Sequence, residues 1–285
     1  MLGAIVLGAL LLVGCKRAEP LRVAAAGDVQ LGAALAASPF EGGLLDGDVR
    51  FVNIEGPLTA RGPATKDRFA FDPARAAWLR GRVDVVSLAN NHALDQGAAG
   101  RDDTVRALDG VAAAYEGHDA TIARRGRHVT VIARALLPDA DLDAQTELVA
   151  AVARAARPTI VSLHWGHTGS LLPTEEQKRL AHRLVDAGAV AVLGHGPHTM
   201  QGTERYGRGV IAYSLGNFAF GCDCTEIADA YVLGFTIDAD GSARDVVLTP
   251  IVAGLSRPPA RAHDAGLHAQ LADLCRDLGD GVSVE

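Results

Sequence analysis

The chain has 285 residues, 48 % of them hydrophobic and 21 % charged, which excludes a disordered, collagen-like or coiled-coil protein. Lys plus Arg number 27 against 34 Asp plus Glu, for a net charge of −7, so the chain lacks the basic surface with which nucleic-acid binders displace counterions. With only 5 % aromatic residues it also lacks a base-stacking platform, and no nucleic-acid partner is expected.

At the N-terminus, Met1 to Gly14 carries no side-chain charge and consists mostly of Leu, Ala, Val and Gly. A membrane span needs about 20 apolar residues, and this run stops at Cys15-Lys16-Arg17, so its length fits a signal-peptide core. Leu12-Val13-Gly14-Cys15 resembles a bacterial lipobox, in which the cysteine is acylated and becomes the new N-terminus, although no basic segment precedes the apolar run. The expectation is a signal peptide over 1–14, a tether over 15–20, lipid on Cys15, and a body held to a membrane of the cell envelope outside the cytoplasm. Cys222, Cys224 and Cys275 then remain; in an oxidising compartment one of the first two can pair with Cys275, leaving one thiol free.

From Pro20 onward, short apolar runs alternate with helical patterns, the mark of an α/β domain. Strands are predicted at Leu21–Ala26, Val49–Ile54, Val83–Leu88, His128–Ala133, Thr159–Leu163, Val190–Leu193 and Val210–Tyr213. A later pair, Tyr231–Ile237 and Arg244–Thr249, flanks the turn signal Asp238-Ala239-Asp240-Gly241. Helices are predicted at Pro73–Arg80, Ala98–Leu108, Asp143–Ala156 and Pro173–Ala187, the last with Thr174 and Gln177 at capping-box spacing and Gly188 as its stop. No repeat or linker breaks the body, so a single domain over 21–255 is expected, followed by a tail or helix over 256–285.

The polar residues gather at the ends of the apolar runs. Ala24–Ala26 leads into Gly27-Asp28, Phe51-Val52 into Asn53-Ile54-Glu55-Gly56, and Val85–Ala89 into Asn90-Asn91-His92. Ile160–Leu163 leads into His164-Trp165-Gly166-His167, Val190–Leu193 into Gly194-His195-Gly196-Pro197-His198, and Val210–Tyr213 into Ser214-Leu215-Gly216-Asn217-Phe218. Ligands of open α/β sheets sit outside the carboxyl ends of the strands. Singly, each cluster reads as a turn, a cap or a half-buried histidine. Together, carboxylates, an asparagine and several imidazoles at successive strand ends are the donors that a dinuclear zinc, manganese or iron site recruits.

These segments, with Asn53-Ile54-Glu55-Gly56-Pro57-Leu58-Thr59, Ser87-Leu88-Ala89-Asn90-Asn91-His92-Ala93-Leu94-Asp95-Gln96-Gly97 and Tyr213-Ser214-Leu215-Gly216-Asn217-Phe218, resemble the CapA family of capsule or poly-γ-glutamate synthesis proteins over about residues 21–255. The resemblance implies a four-layer α/β/β/α sandwich of the calcineurin-like metallophosphoesterase type holding one or two divalent ions. It implies that Asp28 binds one metal, that Glu55 bridges both, that Asn91, His164 and His195 complete the second site, and that His198 returns to the first. His92 would protonate a leaving oxygen, as a histidine acting as general acid can near neutral pH. Asn90, Asp95, His167 and Asn217 are the candidate substrate contacts; replacement-ligand and plain loop roles stay open for Asp95 and His167, and turn packing is favoured for Asn217. Three departures weaken the first metal position: Gln30 stands where the wider pattern has histidine, Glu55 replaces an aspartate, and His195 and His198 are spaced one residue wider.

Three functions follow. The first is an envelope-anchored accessory of capsule or poly-γ-glutamate production, partnered with the polymer or its synthesis machinery. The second is a metal-dependent phosphoesterase or amidase of unrelated substrate, and the third a non-catalytic polymer-binding scaffold in which Gln30 marks a lost metal. The chain has no Gly-Lys-Ser/Thr phosphate loop, which excludes the ATP-using ligase of such a pathway.

Overall fold

A computed structural model describes residues 18–65, 67–136, 142–221, 229–255 and 257–285. The chain begins with β1 (Leu21–Gln30) and β2 (Val49–Ile54), then passes through a 3-10 turn (Pro73–Trp78) to β3 (Val85–Ser87), α1 (Gly97–Ala107) and β4 (Ala112–Ala114). It crosses to a second sheet through β5 (Ala120–Arg124), β6 (Arg127–Leu136), α2 (Leu142–Arg154), β7 (Thr159–Trp165), α3 (Glu175–Ala187), β8 (Ala189–His195), β9 (Thr203–Tyr206) and β10 (Gly209–Ala212). It returns to the first sheet as β11 (Asn217–Phe220), β12 (Asp229–Ile237), β13 (Ala243–Val252), β14 (Ala260–Arg261), α4 (Ala265–Arg276) and β15 (Val282–Val284).

The first sheet runs β14-β13-β12-β1-β2-β3-β4, with β11 continuing along β1 and β15 on β13; the second runs β5-β6-β7-β8-β10-β9. In the first, β1 to β4 are parallel; in the second, β6, β7, β8 and β10 are. Alternation along the strands gives each sheet two apolar faces. Val23, Ala25, Phe51 and Val85 meet Val131, Ile160, Leu193 and Val210 between the sheets. The opposite face of the first sheet, with Val52, Ile54 and Val86, packs on Leu79 and Leu108 beside the 3-10 turn and α1. The opposite face of the second, with Ile132, Val161 and Val192, packs on Leu148 and Val152 of α2 and Leu180 and Leu184 of α3. The result is an α/β fold of two facing sheets.

Asp84 and Arg124 tie the sheets together at the amino ends of their parallel strands. Asp84 accepts hydrogen bonds from the Arg50 backbone N–H at 2.9 Å, from Arg50 Nε at 2.8 Å, and from Arg124 of β5 at 2.5 Å.

One expectation is corrected. The predicted helix Pro73–Arg80 is a 3-10 turn of six residues: Pro73 and the Asp72 side chain, which accepts from Ala74 N–H, start it, and Gly81 at φ +72° follows its end. The segment after residue 255, expected as a tail or helix, contains a helix and two short strands, β14 and β15, which pair with β13 at different places along the edge that β12 leaves open. Its helix α4 carries Leu267, Leu271 and Cys275 at a four-residue spacing and buries them in the core between the sheets. The Cys275 sulfur accepts the Thr203 N–H at 3.3 Å. Cys15, Cys222 and Cys224 lie outside the described residues, as does the predicted signal peptide. Among the described residues no helix is long and apolar enough to cross a membrane.

Candidate metal centre

The carboxyl ends of β1, β2, β7 and β8 open onto one cluster of side chains. Asp28 is placed there by Gly27: a Cβ on Gly27 would lie 1.8 Å from the Gly216 carbonyl oxygen, so only glycine lets β1 approach the turn before β11. That approach forms the Asp28 N–H to Gly216 O hydrogen bond of 3.0 Å. Asp28 Oδ1 accepts from Asn53 Nδ2 at 2.8 Å, and Asn90 Nδ2 in turn donates to Asn53 Oδ1 at 3.2 Å and to Ile54 O at 2.8 Å. This chain of amides holds the Asp28 carboxylate in a fixed orientation.

The histidines arrive from the other sheet. His164 and His195 are register neighbours on β7 and β8. His195 Nδ1 lies 3.2 Å from Asp28 Oδ1 but out of line for a hydrogen bond, so the contact is electrostatic. His198 Nδ1 lies 3.2 Å from Asp28 Oδ2 and 3.0 Å from Asn217 Oδ1, while its Nε2 is 3.6 Å from Glu55 Oε1. Two acceptors on Nδ1 require the proton there, so Nε2 is the atom aimed at Glu55. His198 holds φ +61°, a left-handed backbone conformation rare outside glycine and concentrated at functional sites.

His92 stands beside this group. Its Nδ1 is 2.8 Å from Asp95 Oδ2 and its Nε2 is 4.0 Å from Glu55 Oε1. The carboxylate fixes the proton on Nδ1 and aims Nε2 inward. Phe69 donates its backbone N–H to the same Asp95 oxygen at 2.6 Å and lays its ring on His92, centroids 4.1 Å apart.

Asp28, Glu55 and His198 each offer a donor atom, all within 4.8 Å of one another. Both Glu55 carboxylate oxygens, both ring nitrogens of His195 and Nδ1 of His164 are buried without a hydrogen-bond partner among the described residues. Such orphaned donors in a dry interior are costly unless something compensates them, and carboxylate plus imidazole is the set that a divalent transition ion takes. The residues present fit a metal. Without a metal, protons take its place on part of this set: burial and the neighbouring Asp28 charge push Glu55 up to about 8. Asp28 goes the other way: burial opposes its ionisation, but its contacts with His195 and His198 and their charges hold it well below the usual carboxylate range. Burial pulls His164 down to about 4, leaving it neutral and able to coordinate. Burial also disfavours the His198 cation, but the contact with Asp28 and the Glu55 charge outweigh it and raise His198 to about 9.

Of the predicted site residues, Asp28, Glu55, His92, His164, His195 and His198 come together, and Asn217 joins them through His198. Asn91 and His167 do not. Asn91 is exposed, and the asparagine that turns inward is Asn90, whose Oδ1 also accepts the His92 backbone N–H at 3.1 Å. His167 lies exposed in the loop beyond Gly166, whose φ of +76° turns the chain out of β7. Asp95, expected at the substrate, is occupied with His92. Asn53 was not a candidate; its register position opposite Asp28 was the available signal.

The structure thus defines an α/β protein with a buried carboxylate–histidine centre at the strand ends. The model of the family described as bacterial capsule synthesis protein PGA_cap matches residues 22–137 and 116–222, and the chain belongs to that CapA family. The chain is 32 % identical over 208 residues to the capsule biosynthesis protein CapA of Bacillus anthracis, covering 63 % of this chain and 51 % of that one. It is likewise 32 % identical over 227 residues to the PGA biosynthesis protein CapA of Bacillus subtilis strain 168, covering 70 % and 59 %. It therefore spans only a little over half the length of these relatives. A hypothetical protein of Thermus thermophilus shares the fold with a TM-score of 0.54 at 18 % identity, over 80 % of this chain and 98 % of that one.

Proposed function

We propose that the chain is an envelope-anchored CapA-type protein of capsule or poly-γ-glutamate biosynthesis whose sheets form the calcineurin-like four-layer sandwich and carry a metal-dependent hydrolytic site. The observation that carries this reading is the Glu55 carboxylate, fully buried without a hydrogen bond between Asp28, His198 and His92. Asp28, Glu55 and His198, with His164 and His195, would hold one or two divalent ions of zinc, manganese or iron. When bound, such an ion acts as a Lewis acid, polarising a phosphoester or amide oxygen. The protein's own residues do the rest. Asp95 keeps His92 in one tautomer with Nε2 toward the cluster, where it delivers a proton to a leaving oxygen or nitrogen. Asn53 and Asn90 prevent Asp28 from rotating, and Asn217 shares the Nδ1 proton of His198.

The test is elemental analysis of the full chain purified after growth with ample zinc, manganese and iron. At least one equivalent of metal is expected, lost in the His195→Ala, His198→Ala double variant while the circular dichroism spectrum persists, because these residues sit in loops and at a strand end. A metal-free wild type, or unchanged metal content in the double variant, overturns the reading. Anchoring is tested separately: labelled fatty acid should enter the wild type and not Cys15→Ala, and equal labelling would remove the lipid anchor.

A further inference from the structure

Phe69 and Phe71, from the loop that follows β2, pack beside the centre. A Cβ on Gly56, directly after Glu55, would meet the Phe71 ring at 2.6 Å and Phe69 at 3.1 Å, so the two aromatic residues close over that glycine. Phe69 also stacks on His92 and bonds Asp95, which fixes the residue before it, Arg68, relative to the acid group. Arg68 is exposed, and its Nε, at 2.9 Å, and Nη2 both donate to the Asp95 carbonyl oxygen. Arg61 of the same loop is neutralised by Asp103 at 2.6 Å, whereas the hydrogen bonds of the Arg68 side chain among the described residues go to a neutral carbonyl. A guanidinium has five N–H groups, so three remain in a planar fork that matches a carboxylate or phosphate.

The centre itself holds its carboxylates against imidazoles, whereas Arg68, bonded to the Asp95 carbonyl, places an exposed positive charge beside Asp95, the partner of His92. We propose that Arg68 is the specificity-determining residue of this site, capturing an anionic group, carboxylate or phosphate, that the substrate carries next to the bond served by His92. The choice of reacting bond rests on the hydrolytic reading above; capture of the anion does not. Lysine keeps the charge but not the fork, so Arg68→Lys should be intermediate between the wild type and Arg68→Gln.

The experiment is equilibrium binding to the full chain, by calorimetry at constant moderate salt. Three probes are used: a γ-linked glutamyl hexamer with free α-carboxylates, the same hexamer with each α-carboxylate as its amide, and phenyl phosphate. The proteins are wild type, Arg68→Gln, Arg68→Lys and, as a control for surface charge, Arg183→Gln. Wild type should prefer an anionic probe over the neutral hexamer, and Arg68→Gln should weaken that probe by about 10- to 100-fold, the range of one charge-assisted hydrogen bond. The neutral hexamer and the Arg183→Gln control should not move, and Arg68→Lys should recover part of the loss. Which anionic probe weakens identifies the source, carboxylate or phosphate. Equal affinities in wild type and Arg68→Gln overturn the proposal, as does an equal loss in Arg183→Gln or a wild type that binds neither anion. If the wild type turns over no substrate yet binding still depends on Arg68, the hydrolytic reading fails and the anion site stands.

Discussion

Replacing Glu55 by Gln should stabilise the metal-free protein, and bound metal should remove most of that advantage by stabilising the wild type alone. Glu55 is fully buried, neither oxygen has a hydrogen-bond partner, and in the absence of metal burial and the Asp28 charge raise it to about 8 from its ordinary 4.5. A raised carboxyl favours the folded state below the unfolded pKa and loses that advantage as pH rises toward the folded one. Relative to an isosteric neutral amide, Glu55 therefore costs under about 1 kcal/mol at pH 5 and about 3 to 4 kcal/mol at pH 7.5, at about 1.4 kcal/mol per unit between the two pKa values. In chelator, urea unfolding should show Glu55→Gln more stable than the wild type at pH 7.5 and nearly equal at pH 5. With manganese at 100 times its dissociation constant, the wild type should gain about 2.7 kcal/mol, and the variant, lacking a charged ligand, should gain little. A variant less stable than wild type in chelator at pH 7.5 would refute the reasoning, since Glu55 would then be supported as a carboxylate by the protein alone.

Other outcomes follow from the same geometry. His92→Ala should keep its metal and lose roughly 10²–10⁴ in turnover, and Asp95→Asn, which loosens the imidazole, about 10- to 100-fold; bis(p-nitrophenyl) phosphate hydrolysis beside elemental analysis reads both. Asp84→Asn should lower urea stability by about 2–3 kcal/mol at pH 7, less than a fully buried pair because Arg50 and Arg124 are partly exposed. Burial opposes the Asp84 charge, but the bonds from Arg50 and Arg124 outweigh it and lower its pKa, so the difference should be complete above the ordinary aspartate range and vanish as pH falls below it. Gly27→Ala drives a methyl into the Gly216 carbonyl and should displace Asp28, seen as loss of metal even if the protein folds.

The legible parts of this site are those that strand geometry dictates. Asp28, Glu55, His164 and His195 each end an apolar run, and parallel pairing puts such ends on one rim, so the sequence pattern alone brings them close. His198 was readable only through its loop, because its orientation depends on a left-handed residue that periodicity does not encode. Asn90 and Asn91 mark the limit. The strand period stops at Ser87, so alternation no longer says which of two adjacent asparagines turns inward. What selects Asn90 is the distant pair Asn53 and Ile54 O, offered by a strand 36 residues earlier in the chain. The same holds for Asp95: its three-residue spacing from His92 is visible, but only the turn, in which Asp95 N–H bonds His92 O at 3.2 Å, folds the carboxylate back onto the imidazole. At the C-terminus, β15 has three residues, too few for any alternating signal, and it forms because β13 presents an edge that a parallel segment can pair. Backbone order along a strand was thus readable from apolar pattern, whereas the groups that orient the clustered side chains depend on partners the chain supplies from elsewhere. That is why the sequence exposes the carboxylates and histidines of this centre and hides Asn53 and the anchoring role of Asn90.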